Sequence, residues 1–162
     1  MHSILTILKW LIPLVLILVV LVFYLWPVPR VPFDELFAKV DAGTTTSLQA
    51  FRRNHPPQQV EVDGTTWEYV AFGQGKEAIL FLHGMTGAYD IWWQQMEALQ
   101  NRYYVISVTY PPVDRLEELC QGVLAILKRE GIEKVNVVGS SLGGYLAQYL
   151  VATHAEKVAR AV

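Results

Sequence analysis

The chain has 162 residues, with Lys+Arg 13 against Asp+Glu 15 and a net charge of -2. It therefore lacks the basic excess that neutralising a phosphate backbone needs, and nucleic-acid binding is disfavoured. One cysteine, Cys120, excludes an internal disulfide framework and a Cys-rich zinc module, and the sequence calls for no metal and no cofactor. A hydrophobic fraction of 52% and a mean hydropathy of +0.27 are high for a soluble domain of this size.

The apolar excess is local. Between Ile4 and Trp26 only Thr6, Lys9 and Pro13 are not apolar, and the rest of the chain is about 46% hydrophobic, an ordinary globular value. As a helix, residues 4–26 span roughly 34 Å, enough to cross a hydrocarbon core of about 30 Å. Trp10 near one end and Tyr24 and Trp26 at the other sit where interfacial aromatic belts form, and the Lys9 stem can snorkel to the headgroups. Pro13 falls near the first turn if the helix starts close to Trp10. The flank Trp26-Pro27-Val28-Pro29-Arg30 has no small-x-small cleavage site, so a retained single-pass signal anchor is expected rather than a cleaved peptide. Cationic flanks balance across the segment; the short N-terminal tail favours an extracytoplasmic position for the globular part of the chain.

Residues 27–57 read as a connector. They hold Pro27, Pro29, Pro32, Pro56 and Pro57 and the run Gly43-Thr44-Thr45-Thr46, and Phe33–Val40 reads either as a short amphipathic helix or as linker. From residue 58 to 162 the texture is that of a domain. Gln59–Val62 and Thr66–Phe72 alternate about Asp63-Gly64, a hairpin signal. Ala78–Leu82, Tyr104–Val108 and Val135–Val138 are short apolar runs expected to be strands buried on both faces. Helical patterns lie between them. Ile91–Leu99 is one; Leu116, Leu119, Cys120, Val123, Ile126 and Leu127 form the stripe of another, with Asp114 and Glu117 as a capping box and Gly131 as its stop. A further helix runs from Leu142 to about His154, and Lys157–Val162 starts a strand. A leading antiparallel hairpin followed by alternating strands and helices predicts an α/β fold with a mostly parallel sheet and helices on both faces. Ligands of such sheets bind beyond the carboxyl ends of the strands.

Two motifs stand there. Val135–Val138 runs into Gly139-Ser140-Ser141-Leu142-Gly143-Gly144 and a helix, which is G-x-S-x-G in its strand–turn–helix setting. Ser141 is the expected nucleophile; Ser140 would point off the elbow. Gly139 and Gly143 lack side chains because a Cβ would collide across the turn, and Gly144 is read as letting the helix approach the sheet. Ala78–Leu82 ends in His83-Gly84-Met85-Thr86-Gly87. The backbone N–H groups of Met85 and Leu142 are the candidate oxyanion hole. His83 reads better as a brace of its turn than as a catalytic base. Trp92 and Trp93 are placed either to line an acyl pocket or to join the core.

LFLHGMTG, GSSLGGYLAQYL and HAEKVARAV together resemble the α/β-hydrolase fold family over about Val60–Val162, and VTYPPVDRLEELCQGV followed by VVGSSLGGYLAQYL resembles its maspardin-like branch. The resemblance implies a triad in the order Ser, acid, His. His2, His55 and His154 occupy no position where that base is expected, so the chain reads as an N-terminal fragment of the domain, cut in a buried strand, without triad acid, base or cap, and inactive and unstable alone. Two functions are possible. One, from the elbow, the H-G-x-x-G loop and the apolar segment, is a membrane-anchored serine hydrolase acting on a small-molecule ester or other acyl compound. The other is a non-catalytic interaction protein with a protein partner on the same fold.

Overall fold

Asp63 and Gly64 both adopt positive φ, 49° and 78°, the requirement of a two-residue hairpin turn whose twist matches its flanking strands. In the computed structural model, which describes residues 2–162 and their side chains from residue 9 onward, this turn joins β1 (Gln58–Val62) to β2 (Thr65–Gly73) with Val62 opposite Thr65. Four more strands follow: β3 (Ala78–Leu82), β4 (Tyr104–Thr109), β5 (Val135–Gly139) and β6 (Val158–Ala161). The sheet order is β1-β2-β4-β3-β5-β6. The pairs β1/β2 and β2/β4 are antiparallel; β4/β3, β3/β5 and β5/β6 are parallel. The mostly parallel sheet with an antiparallel start is therefore present.

The chain divides into two compact units, residues 1–40 and 41–162. In the larger one, side chains alternate across the strands and build two cores. Leu80, Leu82, Ile106, Val108 and Val137 face one way and are covered by α5 (Leu116–Arg129) and α6 (Leu142–Thr153), which contribute Val123, Ile126, Leu146 and Leu150. Val70, Ile79, Phe81 and Val105 face the other way and meet Phe51 of α3 (Ala42–Asn54) and Met96 of α4 (Trp93–Leu99). Helices thus cover both faces. β3 shows why its sequence is a continuous apolar run: all five of its residues are buried. At the C-terminal end of α5, Glu130 accepts hydrogen bonds from the hydroxyls of Tyr69 and Tyr104, both at 2.6 Å, tying that helix end to β2 and β4. Burial, reinforced by that carboxylate, pushes the Tyr69 hydroxyl up to about 12.

Several expectations are corrected. The stretch read as connector contains α3, whose N-cap Asp41 accepts from the Thr44 N–H at 2.9 Å, while Leu48 and Phe51 are buried; capping and tertiary packing outweigh the weak propensity of Gly and Thr. Of Phe33–Val40, read either as a helix or as linker, Phe33–Leu36 forms a short helix, α2. The Asp114–Glu117 capping box is absent. Arg115 occupies the N-cap of α5 without a side-chain cap bond, and its guanidinium holds Glu117 at 2.6 Å. β6, by contrast, lies at the sheet edge with residues 159–161 exposed, as expected of this strand in the chain alone.

In the smaller unit, α1 runs His2–Leu25, and Pro13 lies inside it rather than in the first turn. A proline there supplies no N–H to the carbonyl one turn earlier. Among the described residues no helix is long and apolar enough to cross a membrane. The expected anchor, 4–26, begins in residues whose side chains lie outside the described ones.

Candidate active site

β3 and β5 end side by side: Leu82 is in register with Gly139, and the Ser140 N–H donates to the Leu82 carbonyl at 3.1 Å. From this shared edge the two chains part. β3 leads through 83–87 to α4 on one face, and β5 leads through Ser140 and Ser141 to α6 on the other. A crevice opens where connections diverge in this way, outside the carboxyl ends of the strands.

Ser141 holds φ 54° and ψ -119°. Asp63 of the hairpin is the other non-glycine residue with positive φ among the described residues. Such a backbone costs about 1–3 kcal/mol and persists where the surroundings over-determine it. Here they do. A Cβ on Gly139 would stand 2.3 Å from the Gly143 carbonyl oxygen, and one on Gly143 would stand 2.1 Å from the Leu82 oxygen. The Gly139 collision is across the turn, as expected; that of Gly143 is instead with the end of β3, so elbow and strand end touch backbone to backbone. Gly144 is a correction, because a Cβ there would meet the Gly139 oxygen at an ordinary 3.5 Å. The close approach of helix to sheet belongs to Gly143.

The turn leaves Ser141 exposed. Leu142 is the first residue of α6, so its N–H has no intrahelical acceptor and lies at the positive end of the helix dipole. The H-G-x-x-G loop is brought to the same place: the position of a Cβ on Gly84 is 3.4 Å from Ser141 Cβ and 3.9 Å from its Oγ. These are ordinary contact distances, so the loop backbone lies directly against the Ser141 side chain. Met85 comes directly after it, its side chain 80% exposed, and the loop closes through the Gly87 N–H on the Gly84 carbonyl at 3.0 Å.

His83 is buried and occupied on both ring nitrogens. Nδ1 bonds the Gly84 carbonyl and Nε2 accepts from the Tyr110 N–H at 3.4 Å, which together describe one neutral tautomer. Burial, the dominant cause, lowers its pKa below the usual 6.5. His83 thus braces the loop, as the sequence suggests. Its partner Tyr110 enters the sequence reading only through the Tyr-Pro that follows the fourth strand, with no role assigned to it. The Tyr110 ring packs on His83 at 4.0 Å between centroids, its hydroxyl is buried without a hydrogen-bond partner among the described residues, and burial raises its pKa. The only sequence signal for it is the Tyr-Pro-Pro following β4.

The other described histidines are engaged elsewhere. His55 stacks on Phe72 at 3.7 Å between centroids, and His154, beyond the far end of α6, meets Thr153 Oγ1 at 2.8 Å and Cys120 Sγ at 3.8 Å. No base is hydrogen-bonded to Ser141 Oγ among the described residues. Trp92 packs on Phe81 at 5.5 Å between centroids, on the α4 side of the sheet, which is a core role.

The family model for the alpha/beta hydrolase fold matches residues 77–162. The chain belongs to the α/β-hydrolase fold family. Curated relatives include maspardin from Danio rerio, 41% identical over 71 residues, 43% of this chain and 23% of that protein. The dihydrolipoyllysine-residue acetyltransferase component of an acetoin cleaving system from Cupriavidus necator is 29% identical over 127 residues, 73% of this chain and 32% of that protein. The chain therefore spans about a quarter to a third of the length of these relatives. Among solved structures, a putative lipase from Acinetobacter baumannii superposes with a TM-score of 0.64 at 22% identity, covering 75% of this chain and 46% of that one. An epoxide hydrolase from Vigna radiata gives 0.61 at 22% identity, covering 67% and 39%. These likenesses concern the fold.

Proposed function

We propose that this hydrolase-family protein is a serine hydrolase acting on esters or other small acyl compounds, with Ser141 as nucleophile. The observation that carries the reading is the positive φ of Ser141, held between two backbone contacts that tolerate only glycine. Strain of this kind at an exposed hydroxyl, facing a glycine-opened loop, has a purpose in nucleophilic attack. Ser141 Oγ attacks the substrate carbonyl carbon while a general base takes its proton. The developing oxyanion is held by the Met85 and Leu142 N–H groups, the alcohol leaves with that proton, and water then hydrolyses the acyl-enzyme. His55, His83 and His154 are not that base. The full protein should be labelled by a serine-directed phosphonate probe, and Ser141→Ala should abolish labelling; equal labelling of both would sink the proposal.

Membrane attachment is the second part of the reading. The apolar composition of residues 4–26 supports a single-pass anchor, with the hydrolase unit on the extracytoplasmic side. Carbonate-resistant membrane association of the full chain, lost on deletion of residues 2–26, tests it; association unchanged by the deletion contradicts it.

An alternative role, as a non-catalytic interaction protein, is favoured by one observation, the 41% identity to maspardin. Absence of phosphonate labelling in a folded wild-type protein would decide for it.

A further inference from the structure

We infer that α3 is a positioning element for the candidate active site, and that the Arg52–Asp90 ion pair holds the 84–90 segment in register with Ser141. The catalytic consequence rests on the serine-hydrolase reading; the structural one does not. Two consecutive residues of α3 grip two consecutive residues just beyond the H-G-x-x-G loop. Arg52 Nε lies 2.6 Å from Asp90 Oδ2, and the Phe51 ring faces that of Tyr89 at 6.4 Å between centroids, 28° from parallel.

The grip is firm for three reasons. Phe51 is fully buried on the β2, β3 and β4 side of the sheet, so α3 cannot slide without opening a core. The Asp90 side chain is 15% exposed, so its ion pair with Arg52 is better shielded from water than an ordinary surface pair. The Tyr89 N–H donates to Thr109 Oγ1 at 3.0 Å, which fixes the same segment to the carboxyl end of β4. Between these clamps and the braced His83, residues 84–88 are anchored at both ends. Their N–H directions, including that of Met85, are set by the two anchors. Arg52 and Asp90 touch no reacting atom in this scheme; they are positioning residues.

The test uses the full-length protein, with wild type, Arg52→Ala, the charge-swapped pair Arg52→Asp with Asp90→Arg, and Arg53→Ala as the neighbouring surface control. Hydrogen exchange at the amides of Met85–Asp90 should speed up about tenfold or more in Arg52→Ala as the segment opens locally. The control should behave as wild type, and the swapped pair should recover protection. Turnover of p-nitrophenyl acetate should fall roughly tenfold to a hundredfold in kcat with a smaller change in KM, again recovered by the swap. Unchanged exchange at 85–90 in Arg52→Ala overturns the inference, whatever the kinetics. If exchange changes as expected while wild type shows neither turnover nor phosphonate labelling, the loop anchor stands and the serine-hydrolase reading fails. Faster exchange with wild-type kcat in a labelled enzyme overturns the catalytic consequence.

Discussion

Replacing Gly143 by alanine should be far more costly than the one-methyl change suggests. The added Cβ would stand 2.1 Å from the Leu82 oxygen, 2.5 Å from the Leu82 carbonyl carbon and 2.7 Å from the His83 oxygen, against an ordinary carbon contact of about 3.5–4.0 Å. All three are backbone atoms at the end of β3, which is paired with β4 and β5 on both sides and holds the Ser140 N–H. No rotamer change relieves the clash; α6 must back away from the sheet by more than about 1 Å. Overpacking costs typically 1–3 kcal/mol, and a contact this short with no flexible partner belongs at or above the upper end, about 3 kcal/mol. For a unit of this size that lowers Tm by about 10 °C. Gly144→Ala is the internal comparison, since its nearest contact would be 3.5 Å. It should be neutral or stabilising by about 0.5–1 kcal/mol, because alanine suits a helix better than glycine. Thermal unfolding followed by circular dichroism measures both. A Gly143→Ala Tm within about 2 °C of wild type, or Gly144→Ala as the more damaging change, would refute the reasoning.

Three further outcomes are expected. Glu130→Ala, which removes the acceptor of two tyrosine hydroxyls at 2.6 Å, should cost about 2–3 kcal/mol in urea unfolding, below the sum of two hydrogen bonds to a charged group at about 1.5–3 kcal/mol each because the half-buried site lets water replace part of them. A loss under about 0.5 kcal/mol would show that water replaces it. Phe51→Ala should cost about 3–5 kcal/mol and expose the α3 amides to hydrogen exchange; a surface-like loss would mean α3 is not part of the core. Burial depresses the His83 and His55 pKa values, so the unfolded chain binds more protons and stability present above about pH 6.5 falls as pH drops below it. His83→Asn should flatten that decline, and an identical pH dependence in the variant would contradict it.

The features legible in the sequence are the local ones. The span Ala78–Leu82 matches its strand residue for residue because five consecutive apolar residues with glycine-rich flanks leave no other use for the segment. The elbow is legible because its glycines and serine form one short motif, although only Gly139 answers to a contact inside the turn and Gly143 answers to the end of β3. The order of the sheet is not, since insertion of β4 between β2 and β3 is decided by packing across distant segments. α3 escapes the sequence for a related reason: Gly43-Thr44-Thr45-Thr46 and Pro56-Pro57 punctuate the chain like a linker, and only the burial of Leu48 and Phe51 shows that the helix is kept by the core. The bracing role of His83 is legible, but Tyr110, whose N–H and ring complete that brace, carries no signal beyond an unusual Tyr-Pro-Pro.

The central claim is that Ser141, on its strained turn, is the nucleophile. The most direct measurement is the mass of the peptide spanning the elbow after reaction of the full protein with a phosphonate probe, followed by fragmentation to locate the adduct. The adduct should lie on Ser141 and vanish in Ser141→Ala. An adduct on Ser140, or one that survives Ser141→Ala, would contradict it.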